Sequence, residues 1–221
     1  MNDSRFALVL LDLDGTLLDT RLDLVASTNY VRVSFGLSPL DAETIQHLVG
    51  RGARALVERA LGAERLELHD EGLRRLLAHY GEHCLDHTCP YPGMVEALDE
   101  LAAAGVQVAV LTNKPQALSR QILDGLGLEC RLLAVVGGDT FPERKPHPRG
   151  AEHLRSLAGA ARRATLMVGD SSVDVDTGRA ARIAVCGVLW GFDPEAMTAA
   201  RPDFVARDAA ELVRIIRRGS P

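Results

Sequence analysis

The sequence predicts an α/β protein, a Rossmann-like, doubly wound parallel sheet core into which an α-helical cap is inserted. Three observations predict it. Short runs at residues 6–11, 106–111, 132–136, 164–168 and 185–189 are largely apolar, not alternating, as suits strands covered on both faces. Helix-patterned segments at 95–104, 117–126 and 149–157 lie between them, and that rhythm winds into a parallel sheet. The third is a break in the rhythm from about Thr20 to His87, where helical spacing persists (Leu22, Val25, Ala26 and Tyr30; Leu73, Leu76, Leu77 and Tyr80) without a convincing strand.

Taken in order, the run at 6–11 stops at Asp12-Leu13-Asp14-Gly15-Thr16, and the helical insert follows. An insert placed there sits above the carboxyl end of the first strand, as a lid. Pro90-Tyr91-Pro92-Gly93 marks the return to the α/β pattern. The expected division is a core of residues 1–18 and 89–221 with a cap of residues 19–88. The basic run at 214–218 reads as a solvated helix end, where cations suit the dipole.

Composition narrows the partners. The 221 residues are 47% hydrophobic, and the mean hydropathy of +0.02 suits a globule with a real core. A net charge of −5 and a pI near 5.8 argue against nucleic acid or an anionic membrane as a main partner. Asp12 and Asp14 interrupt the first apolar run, so no signal peptide is expected, and every apolar run is too short to span a bilayer. Cys84, Cys89, Cys130 and Cys186 are scattered without a CxxC pair. A reducing cytoplasm is the expected setting, and the chain a monomer or homodimer.

Four short segments share one position, the end of an apolar run. They are Asp12-Leu13-Asp14-Gly15-Thr16, Thr112-Asn113-Lys114, Lys145-Pro146 and Gly169-Asp170-Ser171-Ser172-Val173-Asp174. In a parallel sheet these loops converge on one edge, where open α/β sheets place their chemistry. Residues i and i+2 of an extended strand point the same way, so Asp12 and Asp14 lean toward one point. Acids so close in an apolar setting need a cation or a difference in protonation. The set favours phosphoryl transfer to a carboxylate. Mg²⁺ takes hard oxygen ligands, one or two carboxylates among them. Asp12 and Asp170 can supply these, and Asp14 its backbone carbonyl. The Thr112 hydroxyl, Lys145 and loop amides around Leu13, Asp14 and Asn113 can hold the phosphate oxygens. Asp12 suits attack, and Asp14 suits protonating the leaving oxygen and later activating water.

Together these segments resemble the haloacid dehalogenase-like superfamily: DxDGT at residues 12–16, Thr112-Asn113, Lys145, and GDxxxD at 169–174. More narrowly the chain resembles the phosphoglycolate phosphatase family, through Val49-Gly50-Arg51-Gly52-Ala53, Tyr91-Pro92-Gly93, Gly137-Gly138-Asp139 and Lys145-Pro146-His147-Pro148 in addition. The resemblance implies Asp12 as nucleophile, Asp14 as acid and base, and Thr112 and Lys145 as phosphate binders, with Gly15, Thr16 and Asn113 beside them. It implies a Mg²⁺ site from Asp12, Asp14 and Asp170, with Asp174 orienting metal waters or pairing with Lys145. Arg51 or Arg54 of the lid would meet a substrate carboxylate. The substrate implied is a small phosphate ester, 2-phosphoglycolate first, with a sugar phosphate such as N-acetylmuramate 6-phosphate as the alternative. A phosphomutase and a silent binding module come further behind. The chain departs from the family pattern at Val173, where Asn is usual, at Arg182, where Gly is usual, at Arg51, where Asn is common, and at Gly191-Phe192-Asp193.

His79, His83 and His87 recur every four residues, with Cys84 and Cys89 nearby. A zinc site is conceivable. No second ligand cluster completes it, and a solvated or half-buried helix face is the expected role.

Overall fold

The computed structural model describes residues 4–219. Six parallel strands form one sheet in the order β5-β4-β1-β6-β7-β8. These are β1 (Leu8–Leu11), β4 (Gln107–Leu111), β5 (Val135–Val136), β6 (Thr165–Gly169), β7 (Ala184–Val188) and β8 (Phe204–Ala206). β1 is central, with Leu11 opposite Val110 of β4 on one side and Val168 of β6 on the other. Its four residues are all buried. Leu8 and Leu10 join the apolar cluster on one face, and Val9 and Leu11 the cluster on the other. That two-sided burial is why the run is apolar throughout. Later strands add on one side of β1 and then on the other, so a crevice opens at this switch in strand order.

Helices α5 (Met94–Ala103), α6 (Gln116–Gly125), α7 (Arg149–Ala158), α8 (Ser172–Ala181), α9 (Pro194–Ala199) and α10 (Ala209–Arg218) accompany the sheet. Between β1 and β4 the chain leaves through β2 (Leu18–Asp19) and returns through β3 (Cys89–Pro90), which pair antiparallel. The excursion holds four helices, α1 (Arg21–Ser34), α2 (Ala42–Leu48), α3 (Ala53–Leu61) and α4 (Leu66–His83). Buried Asp23 fastens the two crossings: its carboxylate accepts from the His87 and Thr88 N–H groups and from the Thr88 hydroxyl. Among the described residues no helix is long and apolar enough to cross a membrane.

Three expectations shift. The strand expected over 132–136 forms only at Val135–Val136, because a 3₁₀ turn at Glu129–Arg131 uses the approach to it. β8 and α9 were not anticipated, β8 being three residues with only Ala206 buried. The histidines do not share one helix face either, since α4 ends at His83 and His87 lies beyond it.

Candidate active site

The carboxyl ends of β4, β1 and β6 lie side by side, and the loops leaving them border a cavity of about 310 Å³. Asp12, Asp14, Thr112, Asn113, Lys114 and Asp170 line its floor. Val49, Gly50, Arg51, Leu76 and Tyr80 close it from the helical excursion. Parallel pairing builds the floor directly: the Asp12 N–H donates to the Val168 carbonyl, and the Thr112 N–H to the Val136 carbonyl.

Two lysines hold the acids. Lys145 Nζ is 2.9 Å from Asp12 Oδ1 and 2.7 Å from Asp174 Oδ1, with all three side chains buried. Asp12 Oδ1 also accepts from the Leu13 N–H at 2.7 Å. Asp174 is the third helical residue after the Ser171 cap, and its Oδ2 accepts from the Ser171 N–H and hydroxyl. This capping box explains the four-residue spacing of Asp170 and Asp174. Lys114 Nζ donates at 2.8 Å to Asp14 Oδ1 and at 2.8 Å to the Tyr80 hydroxyl. Asp14 Oδ1 accepts from Thr20 as well.

Asp170 is wedged between two glycines. A Cβ on Gly15, whose φ is +78°, would fall 2.1 Å from Asp170 Oδ2, and one on Gly191 would fall 2.2 Å from its Cβ. Oδ2 accepts from the Phe192 N–H at 2.8 Å, and the Thr16 hydroxyl reaches Oδ1 only at 3.5 Å.

Burial dominates the electrostatics. It pushes the Asp12 carboxyl up from 3.8 to about 6, with Lys145 opposing and Asp174 adding to the rise. Asp170 is raised well above the usual carboxylate range by burial, then by Asp174 and Asp12. Burial works against the charged forms of Lys145 and Lys114, yet their acidic neighbours hold both above the ordinary lysine value.

This donor set fits a divalent cation. Oxygens of Asp12, Asp170 and Asp174 lie within 4.8 Å of one another. Four carboxylates face two ammonium groups here, an excess of two negative charges when all are ionised. Among the described residues Asp170 Oδ1 has only the long Thr16 contact and is open to a cation. The Asp14 carboxylate belongs to the Lys114 pair instead of this cluster.

The expected residues divide. Asp12, Asp14, Thr112, Asn113, Asp170 and Arg51 border the cavity, and Lys145 and Asp174 stand behind Asp12. Gly15 and Thr16 lie beside Asp170: the Gly15 N–H donates to the Leu18 carbonyl, and Thr16 is fully buried. Gly15 leaves room for Asp170, and the Thr16 hydroxyl faces its Oδ1. The Asn113 side chain ties loops together, donating to the Gly50 and Lys145 carbonyls. Arg54 is paired with Asp70 at 2.9 Å and is absent from the wall, which holds Arg51 and Arg59 from the helical excursion. The histidines have separate partners and make no metal cage: His79 bonds Ser27, His83 bonds Asp86 and His87 bonds Asp23. The sequence reading assigned no role to Lys114 or Tyr80. Lys114 stands directly after Thr112-Asn113, at the strand end where chemistry was expected, and that was the available signal.

Buried carboxylates, a lysine-backed acid and a wall of helices meet at a parallel-sheet switch point, where open α/β folds bind their ligands. A family model for haloacid dehalogenase-like hydrolases matches residues 9–188, and the chain belongs to that family. It is 38% identical to the phosphoglycolate phosphatase of Agrobacterium fabrum over 93% of this chain and 90% of that protein. It is 37% identical to that of Chromobacterium violaceum, over 99% of this chain and all of the other. A crystal structure described as a predicted phosphoglycolate phosphatase from Haemophilus somnus superimposes with a TM-score of 0.90 at 30% identity, covering 96% of this chain and 98% of that one. The chain is thus a haloacid dehalogenase-like phosphatase.

Proposed function

We propose that this chain hydrolyses 2-phosphoglycolate to glycolate and phosphate through an aspartyl-phosphate on Asp12. The observation that carries the reaction is the seat of Asp12. One carboxylate oxygen is fixed by Lys145 and the Leu13 N–H, which leaves the other to attack phosphorus. As the new bond forms, the ester P–O bond breaks and Asp14 gives its proton to the leaving oxygen. Asp14 then takes a proton from water, whose oxygen displaces Asp12 and releases phosphate. Thr112 and the Lys145 donor not used by Asp12 or Asp174 are the side-chain contacts for the phosphoryl oxygens. Mg²⁺ would be held by Asp12 and Asp170 with the Asp14 carbonyl, Asp174 behind them, and would offset the charge on the phosphoryl oxygens.

Residues 19–88 act in this reading as a cap over a core of residues 1–18 and 89–221. The substrate rests on the named relatives and on Arg51, whose place in the wall suits a carboxylate. A cavity near 310 Å³ is at the small end of ligand sites, which run from about 300 Å³. Four unpaired thiols support a reducing, cytoplasmic setting.

The test is phosphate release with Mg²⁺ from 2-phosphoglycolate, N-acetylmuramate 6-phosphate, hexose phosphates and nucleotides, compared by kcat/KM. A lead for 2-phosphoglycolate, with Arg51→Ala raising its KM by about tenfold or more, supports the reading. A sugar-led profile overturns the substrate, and silence on every ester overturns the reaction.

A further inference from the structure

Lys114 is a buried cation for which the reaction above has no use. Its side chain is 4% exposed, and its two polar partners are the acid proposed for proton transfer and a tyrosine of the helical excursion. Nζ also stands 4.4 Å from the centre of the Tyr80 ring, a cation–π contact. Tyr80 is 3% exposed on α4. A continuous path therefore runs from α4 through Tyr80 and Lys114 to Asp14 Oδ1. The Thr20 hydroxyl, just ahead of α1, donates to that same oxygen at 2.8 Å.

We propose that Lys114, anchored by Tyr80, is a positioning residue that orients Asp14 for proton delivery to the leaving oxygen and makes that delivery depend on how α4 is seated. The inference rests on the phosphomonoesterase reading. Two donors already occupy Oδ1, so a proton on the Asp14 carboxyl must sit on Oδ2. That proton passes to the ester oxygen as the P–O bond breaks. The negative charge then appearing on Asp14 lies against the Lys114 ammonium, which has no need to move. A proton donor acts only within hydrogen-bond reach and in the correct orientation. Loss of the ammonium or of its anchor therefore weakens proton delivery more than attack by Asp12.

Esters that differ in their need for that proton test the proposal. An alkoxide such as that of 2-phosphoglycolate must be protonated as it leaves, whereas p-nitrophenolate departs without help. Values of kcat/KM report steps through leaving-group departure and leave out the later hydrolysis. For Lys114→Met the loss on 2-phosphoglycolate is expected to exceed that on p-nitrophenyl phosphate by about 10- to 100-fold. Tyr80→Phe removes one oxygen and is expected to move the same ratio about three- to tenfold. It carries the test alone if Lys114→Met fails to fold by circular dichroism. Equal losses on both esters overturn the proposal and leave Lys114 a structural ion. A rise in KM at constant kcat also overturns it, because Lys114 is then a substrate contact. Silence of the unaltered protein on both esters overturns the phosphomonoesterase reading itself, and the proposal with it.

Discussion

Asp12→Asn separates what this carboxylate does for the reaction from what it costs the fold. The side chain is buried, and burial lifts its pKa from 3.8 to about 6 despite Lys145. The sign is opposite to that of an ordinary salt-bridged aspartate. Because the folded value lies above the unfolded one, the fold favours the protonated form. The stability it contributes is complete below pH 4 and is lost as pH rises through about 6. A displacement from 3.8 to about 6 corresponds to roughly 3 kcal/mol well above pH 6, of which about 2 kcal/mol is lost between pH 4 and pH 7.5. Asparagine keeps the shape without the charge, and Lys145 retains Asp174 as its partner. In chelator-treated protein at pH 7.5, the variant is expected to be more stable than the parent by up to about 3 kcal/mol. That corresponds to roughly 6–12 °C in Tm for a chain of this size. By pH 4 the margin should shrink by about 2 kcal/mol. Phosphatase activity should be abolished at every pH, since an amide cannot form the aspartyl-phosphate. Thermal melts at the two pH values decide the matter. A variant destabilised equally at both refutes burial of a charge as the cost, and retained turnover refutes Asp12 as the nucleophile.

Three further outcomes are expected. Added Mg²⁺ should stabilise chelator-treated protein at pH 7.5 by about 2.7 kcal/mol at a hundred times Kd, seen as a higher Tm, and much less in Asp170→Asn; a flat calorimetric response in the parent would sink the metal site. Gly15→Ala forces a left-handed φ of +78° on a side chain and drives its Cβ to 2.1 Å from Asp170 Oδ2. It should lose about 2–4 kcal/mol in denaturant titration together with the Mg²⁺ response. Arg182 holds φ at 56° in the left-handed cap of α8, a conformation that glycine adopts without strain. Arg182→Gly should gain up to about 1 kcal/mol, seen as a Tm rise of roughly 2–4 °C without a change in kcat/KM.

What the sequence made legible was whatever lies contiguous with a strand end. Asp12, Asp14, Thr112 and Asp170 each follow an apolar run within a few residues, and parallel pairing alone brings those ends together. The runs themselves were visible because strands buried on both faces cannot alternate. β8 escaped because it is short and mostly half-exposed, so no apolar run marks it. Gly15 and Thr16 carry a constraint that motif spacing does not show. Their identity is dictated by Asp170, 155 and 154 positions away, which needs a neighbour without a side chain and a buried hydroxyl below. Motif spacing shows that these residues matter and is blind to which partner they serve.

The lysines show the same limit and its physical origin. Lys145 and Lys114 perform parallel tasks, each placing an ammonium against one of two acids two residues apart. Lys145 could be expected because the acids of the core create a demand for positive charge near Asp12. The demand for Lys114 arises only when Tyr80, from the excursion, shuts its side of Asp14 away from water and leaves the pair 4% and 13% exposed. Removing either member of a pair so enclosed is costly, since the ionised survivor would be buried without a partner. Asp12 is thus held by Lys145, itself paired with Asp174, whereas Asp14 is held by groups tied to the helical excursion, by Thr20 and by Tyr80 through Lys114.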